Sequence, residues 1–176
     1  MDVKLEIAKN IIKSGGIVVY PTDTAYAIGC IYDNKSALKK IMQLKGRTDA
    51  KFTIIASSLY QVEKYFKLNK CQRKLAQKYW PGPLSIVVSA HYAVRVPQQV
   101  EARSLARAAG KPIIATSFNK TGSSAIYNLS KVDVNMLKDV PSVNVGSLKK
   151  IQPSTVIECK EEKVIIHRAG SIKIQK

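Results

Sequence analysis

An α/β fold built on a mixed sheet is predicted by three features of this sequence. Apolar residues recur in turn at helical spacing and in short β-branched runs. Brief breaks marked by Gly, Pro, Asn and Asp join these segments, and neither an internal repeat nor a low-complexity linker divides the chain. With 176 residues there is room for one substantial core, and residues 1–176 read as a single domain.

The elements follow in order. Ile7, Ala8, Ile11 and Ile12 recur at helical spacing, and Gly15-Gly16 supply a stop. Ile17–Tyr20 is a short β-branched strand ended by Pro21. Asp33-Asn34 can cap a helix whose inner face is Ala37, Leu38, Ile41 and Leu44. Phe52–Ala56 reads as a buried strand; Ser58 opens a helix through Phe66, and another runs from about Cys71 to Trp80. The rigid break Trp80-Pro81-Gly82-Pro83 leads into strands Leu84–Val88 and Tyr92–Val96. Glu101–Ala109 is helical and Ile113–Thr116 a strand. A helix near Val132–Leu137 and strands near Ser142–Val145, Thr155–Cys159 and Val164–His167 close the chain.

Composition excludes several classes. The 45% hydrophobic content is ordinary for a globular protein. No apolar run approaches the roughly 20 residues that span a bilayer, so no membrane partner is expected. Met1–Glu6 is amphipathic and charged, unlike a signal peptide. The three cysteines, Cys30, Cys71 and Cys159, are widely spaced and form no CxxC pair. Neither a disulfide framework nor a zinc site is therefore expected, and a reducing cytoplasm is the simplest location. The formal charge of +17 is shared by both halves of the chain. It fits either recruitment of a polyanion such as RNA or a general lysine bias favouring solubility.

Candidate chemistry sits at strand ends. Thr22, Asp23 and Thr24 follow the first strand, where side chains often face a crevice. They can bind an amine or hydroxyl of a small substrate, or simply close an Asx or Thr turn. Lys45 and Arg47 flank Gly46 at a helix exit. With Lys51 they can hold a triphosphate and spread charge in phosphoryl chemistry; two cations at a helix C-terminus also merely favour the dipole. Strand alternation places Tyr92, Val94 and Val96 on one face, with Ala93 and Arg95 on the other. An arginine among valines calls for an anionic partner if buried, or exposure on an edge strand. Ser117 and Asn119 follow an apolar strand and can aim a hydroxyl and an amide into the crevice that receives Thr24. Ser154 and Arg168 each stand beside a strand end. His91 and His167 have no nucleophile or metal-ligand partner in sequence.

Taken in order, the blocks PTDTAYAIG, LKGR, WPGPLSIVV, YAVRVP, IIATSFNKTG, PSTVIE and HRAGSI make the chain resemble the YrdC/TsaC family of threonylcarbamoyl-AMP synthases, from about Gly16 to Ile172. The family's Lys-x-Arg and downstream Ser-x-Asn are matched by Lys45, Arg47, Ser117 and Asn119. The resemblance implies an open twisted sheet with flanking helices and a basic concave face. It also implies a reaction in which L-threonine, bicarbonate or CO2, and ATP give threonylcarbamoyl-AMP and pyrophosphate, for threonylcarbamoyladenosine modification of tRNA. By position, Thr24, Arg95 and Ser154 would bind threonine. Lys45, Arg47, Lys51, Ser117, Asn119, Tyr127 and Arg168 would serve ATP, with Lys45, Arg47, Ser117 and Asn119 catalytic. Mg2+ would come with the nucleotide, without a dedicated protein cage. The implied partners are tRNA, through the basic surface, and a downstream threonylcarbamoyltransferase.

The chain departs from the family at several places. Ala27 stands for a glycine, Thr48 for a proline and Phe52-Thr53 for Pro-Leu, and the connection Ala90-His91 is short. Phe118 replaces a small residue, where a phenyl ring can crowd the crevice or stack on a base. The alternative function is a non-catalytic RNA-binding paralogue, whose affinity would fall steeply with salt.

Overall fold

Caps and turns set the helix ends before packing acts on them. The structure is a computed structural model that describes residues 3–46, 48, 51–119, 123–132, 140–161 and 163–174. Helix α1 (Leu5–Lys13) carries Glu6 in its first turn and Lys13 in its last, each favouring the helix dipole. In α2 (Lys35–Lys45) the Asn34 side chain accepts the Ala37 N–H, and Gly46 ends the helix at a left-handed φ of 60°. Ser58 caps α3 (Leu59–Tyr65), and Asn69 with Gln72 forms a capping box at α4 (Lys70–Tyr79). Helix α5 (Val100–Ala108) has no cap from its own N-cap side chain. Instead the Asp23 carboxylate, far away in sequence, accepts the N–H groups of Gln98 and Gln99 at 3.0 and 2.6 Å.

The strands are β1 (Val18–Pro21), β2 (Tyr26–Gly29), β3 (Phe52–Ile55), β4 (Leu84–Val87), β5 (Tyr92–Arg95), β6 (Ile113–Ser117), β7 (Thr155–Lys160) and β8 (Lys163–Arg168). Among the described residues these eight form one open sheet in the order β1-β2-β6-β3-β5-β4-β7-β8. Pairs β3–β5 and β4–β7 run parallel and the others antiparallel. This is the mixed α/β sheet with flanking helices that the periodicity predicts.

Alternation along the strands divides the sheet into two faces. One carries Val19, Ile28, Ile54, Val94 and Ile114 into a core with Ile41 of α2 and Val62 of α3. Helix α4 continues that layer over Leu84, Ile86 and Ile157. Each such buried side chain contributes about 1.5–3 kcal/mol. The opposite face meets α1 and α5 at Tyr20, Ala27, Ile55 and Ile113. Its remainder, around Thr53, Ala115 and Arg95, forms the floor of a crevice.

Several expectations need correction. Tyr26–Gly29 is a strand, where the sequence reading assigns no element. Around Ser142–Val145 the backbone forms only an isolated bridge, Ser142 to Val19, on the edge of β1 that β2 leaves open. A 3-10 turn spans Leu129–Lys131, and residues 133–137 of the helix expected near Val132–Leu137 lie outside the described residues. Of the face expected for α2, Ala37, Leu38 and Ile41 pack on the core, but Leu44 is 54% exposed and Lys45 is buried in its stead. Cys71 on α4 is disulfide-bonded to Cys159 on β7, with Cα atoms 6.2 Å apart. Sequence spacing cannot show that α4 lies over β7, and the pair removes the cysteine argument for a reducing compartment. Cys30 remains a free, buried thiol whose pKa is pushed up to about 12 by burial and then by the Asp33 carboxylate. Among the described residues no helix is long and apolar enough to cross a membrane.

Candidate functional site

The open part of the sheet face holds a crevice of about 340 Å³. Thr24, Lys51, Arg95, Ser117, Tyr127, Ser154 and Arg168 all line it, brought from seven separate stretches of chain. Its lining includes three cations and no carboxylate, so the enclosed space favours an anionic or carboxylate-bearing ligand.

Arg95 sits at the end of β5, an interior strand, and is only 3% exposed. That excludes the edge-strand alternative. Its Nε and Nη1 are buried without a hydrogen-bond partner. Burial lowers its pKa, opposed by the Asp23 carboxylate and the Tyr20 hydroxyl and reinforced by Arg168. A guanidinium stays charged under that pressure, and Arg95 lines the crevice. An anionic ligand there would offset the poorly paired buried charge.

The Thr22–Thr24 block divides its labour. Thr22 is buried, its hydroxyl donating to the Ala25 carbonyl at 2.7 Å and lying 3.2 Å from that of Thr24. It makes the turn that the simpler reading expects, while the half-buried Thr24 faces the crevice. Asp23, a candidate for binding an amine, has both oxygens engaged at the start of α5. Tyr26 then anchors a wall. Its hydroxyl donates to the Gly146 carbonyl and accepts the Val145 N–H, both at 2.9 Å. Leu148 N–H in turn bonds the Tyr127 carbonyl at 2.7 Å.

Lys45 and the Ser117–Asn119 turn come together. Lys45 is 8% exposed and stands outside the crevice lining. Its Nζ donates to the Ser117 carbonyl at 2.5 Å, the Asn119 carbonyl at 2.8 Å and Asn119 Oδ1 at 3.2 Å. The ammonium therefore clasps the turn that presents the Ser117 hydroxyl. Asn119 also donates its amide to the Ser123 carbonyl. Phe118 points the other way, into the core at 4% exposure, so it neither crowds the crevice nor can stack on a base there. Arg47 lies outside the described residues.

At the far wall, Arg168 Nε donates to the Ser154 carbonyl and Nη2 to its hydroxyl, both at 3.0 Å. Burial lowers the Arg168 pKa. A Cβ at Gly170 would collide with the Pro153 carbonyl, so the turn after β8 packs directly on the Ser154 segment. Behind Ser154 lies Ser85, which sequence reading missed: inside an apolar strand it looks like a lapse in the pattern. His91 and His167 stand outside the crevice, and His167 pairs with Glu158 at 2.8 Å. Among the described residues no group of three His, Cys, Asp or Glu side chains could hold a metal.

Comparison with known proteins follows the same lines. The family model described as Telomere recombination (Sua5/YciO/YrdC) matches residues 10–170. A Methanocaldococcus jannaschii protein provisionally named threonylcarbamoyl-AMP synthase is 31% identical, over 98% of this chain and 88% of its own. The structure of P. abyssi Sua5 complexed with L-threonine superposes with a TM-score of 0.82 at 26% identity, covering 97% of this chain. This chain spans only 56% of that Sua5. E. coli YciO superposes at a TM-score of 0.80 and 24% identity over 95% of this chain and 90% of its own, a likeness of fold.

Proposed function

The chain belongs to the Sua5/YciO/YrdC family, and from that premise we propose that it is an L-threonylcarbamoyl-AMP synthase. The observation that carries the proposal is Arg95, a buried and incompletely paired guanidinium that lines a crevice between hydroxyl side chains. The relative solved with L-threonine supports an amino-acid carboxylate as its occupant.

In the proposed reaction the threonine carboxylate lies on Arg95, with Thr24 and Ser154 around it. Its neutral amine attacks CO2, forming the N–C bond and releasing a proton to solvent, or attacks bicarbonate, in which case that proton leaves with the displaced hydroxide as water. One oxygen of the resulting carbamate then attacks the α-phosphorus of ATP. The bond from that phosphorus to the bridging oxygen breaks, and pyrophosphate leaves with the electron pair. No protein nucleophile is required; alignment and dispersal of charge supply the acceleration. Lys51 and Arg168 face the phosphates, joined by Arg47 on the evidence of its motif. Lys45 fixes the Ser117–Asn119 turn at the junction of the two substrates, and Tyr127 lies on the nucleotide side. Magnesium enters as part of the ATP complex.

The product serves tRNA modification through a separate threonylcarbamoyltransferase, and the +17 formal charge suits transient contact with a polyanion. Titration calorimetry with L-threonine and with L-threoninol, which lacks the carboxylate, tests the carrying observation. Binding of threonine alone is expected; equal binding of both would contradict the assignment.

A further inference from the structure

Ser85 is fully buried on β4, and its hydroxyl lies 3.0 Å from the Ser154 hydroxyl. Strand alternation puts Ser85 on the same sheet face as Val87, which is opposite Ala93 across β4–β5, so it belongs to the face that carries Arg95. Among the described residues its Oγ has no other hydrogen-bond partner. The direction of this one bond decides what Ser154 can offer a ligand.

A hydroxyl has one proton and two lone pairs. Ser154 Oγ already accepts a proton from Arg168 Nη2 at 3.0 Å. If Ser154 donated to Ser85, the Ser85 proton would be buried without an acceptor, a costly state for any hydroxyl. If Ser85 donates to Ser154, the free proton is that of Ser154, which lines the crevice where solvent or a ligand can accept it. Both lone pairs of Ser154 Oγ are then filled, one by Ser85 and one by Arg168. Its own proton can point only into the crevice.

We infer that Ser85 is a positioning residue that fixes the Ser154 hydroxyl as a hydrogen-bond donor, selecting a ligand with an acceptor oxygen beside Arg95. This inference rests on the threonine reading, in which that oxygen belongs to the substrate carboxylate. Arg95, whose guanidinium can only donate, and Ser154 both line the crevice and then form one donor-only wall. An amino group, which brings donors, is disfavoured at that wall. Without Ser85 a lone pair of Ser154 is freed and the hydroxyl can rotate, so the wall loses its polarity while every side chain that touches the ligand remains.

The test is a double-mutant cycle read by calorimetric affinity for L-threonine in the full chain. Ser85→Ala is expected to weaken binding about fivefold, and Ser154→Ala by at least as much. The double variant should bind no more weakly than Ser154→Ala alone, because Ser85 acts only through Ser154. A purely structural role for Ser85 would instead give the same loss in both backgrounds. That result, or unchanged affinity in Ser85→Ala, overturns the inference and leaves the threonine reading standing. Failure of the unsubstituted chain to bind threonine overturns the reading and the inference with it.

Discussion

Replacing Arg95 with methionine is expected to strengthen the fold while removing threonine binding. In the free protein Arg95 Nε and Nη1 are buried without partners. A buried, unsatisfied polar group costs about 1–3 kcal/mol. Attraction to Asp23 offsets part of that cost, yet both Asp23 oxygens already serve the Gln98 and Gln99 N–H groups. Exchanging a poorly paired buried ion for an apolar side chain of similar length should stabilise by about 1 kcal/mol. For a chain of this size that raises the unfolding midpoint by about 2–4 °C. The ligand would lose a charge-assisted, two-point contact worth about 3 kcal/mol, which is roughly a 150-fold fall in affinity. Calorimetric unfolding without ligand and calorimetric titration with threonine measure the two effects. A lower unfolding midpoint, or affinity within about threefold of wild type, would refute the reasoning.

Lys45→Met should cost about 2 kcal/mol in chemical denaturation and also slow synthesis, since three acceptors of the Ser117–Asn119 turn lose their donor. Unchanged stability with a slowed reaction would instead make Lys45 a direct nucleotide ligand. Phe118→Ala should destabilise by about 3–5 kcal/mol through a core cavity, with ATP affinity in the folded fraction preserved. A stable variant with weakened ATP binding would return the ring to the crevice. The His167 hydrogen bond, then Lys160, hold the Glu158 carboxyl below its ordinary range. A depressed carboxylate contributes stability above its unfolded pKa and loses it as pH falls through the folded value, so stability should drop below about pH 4. Glu158→Gln should flatten that drop in an unfolding-versus-pH series, and an equally steep profile would remove Glu158 as its source.

Much of the framework can be read from the chain because it depends on local patterns. The face of Arg95 followed from alternation in Tyr92–Val96, and the starts of α2 and α3 from Asn34 and Ser58. What escaped depends on contacts made only after folding. β2 was hidden because Tyr26–Gly29 is brief and poor in β-branched residues, and pairing with β1 and β6 creates it. The exchange of Leu44 for Lys45 on the inner face of α2 follows from acceptors that stand 72 and 74 residues downstream. Polar residues inside apolar strands were the weakest signal: Ser85 shows its purpose only when β7 brings Ser154 alongside. The roles of Thr22, Asp23 and Thr24 could be narrowed to a turn or a site, and the structure divides them between both.

The central claim is that one crevice joins threonine, CO2 and ATP. Pyrophosphate release from ATP, measured with each of L-threonine and bicarbonate present or omitted, tests it most directly. Release that appears only when both are added is the expected result; release independent of threonine, or none under any condition, would contradict the account.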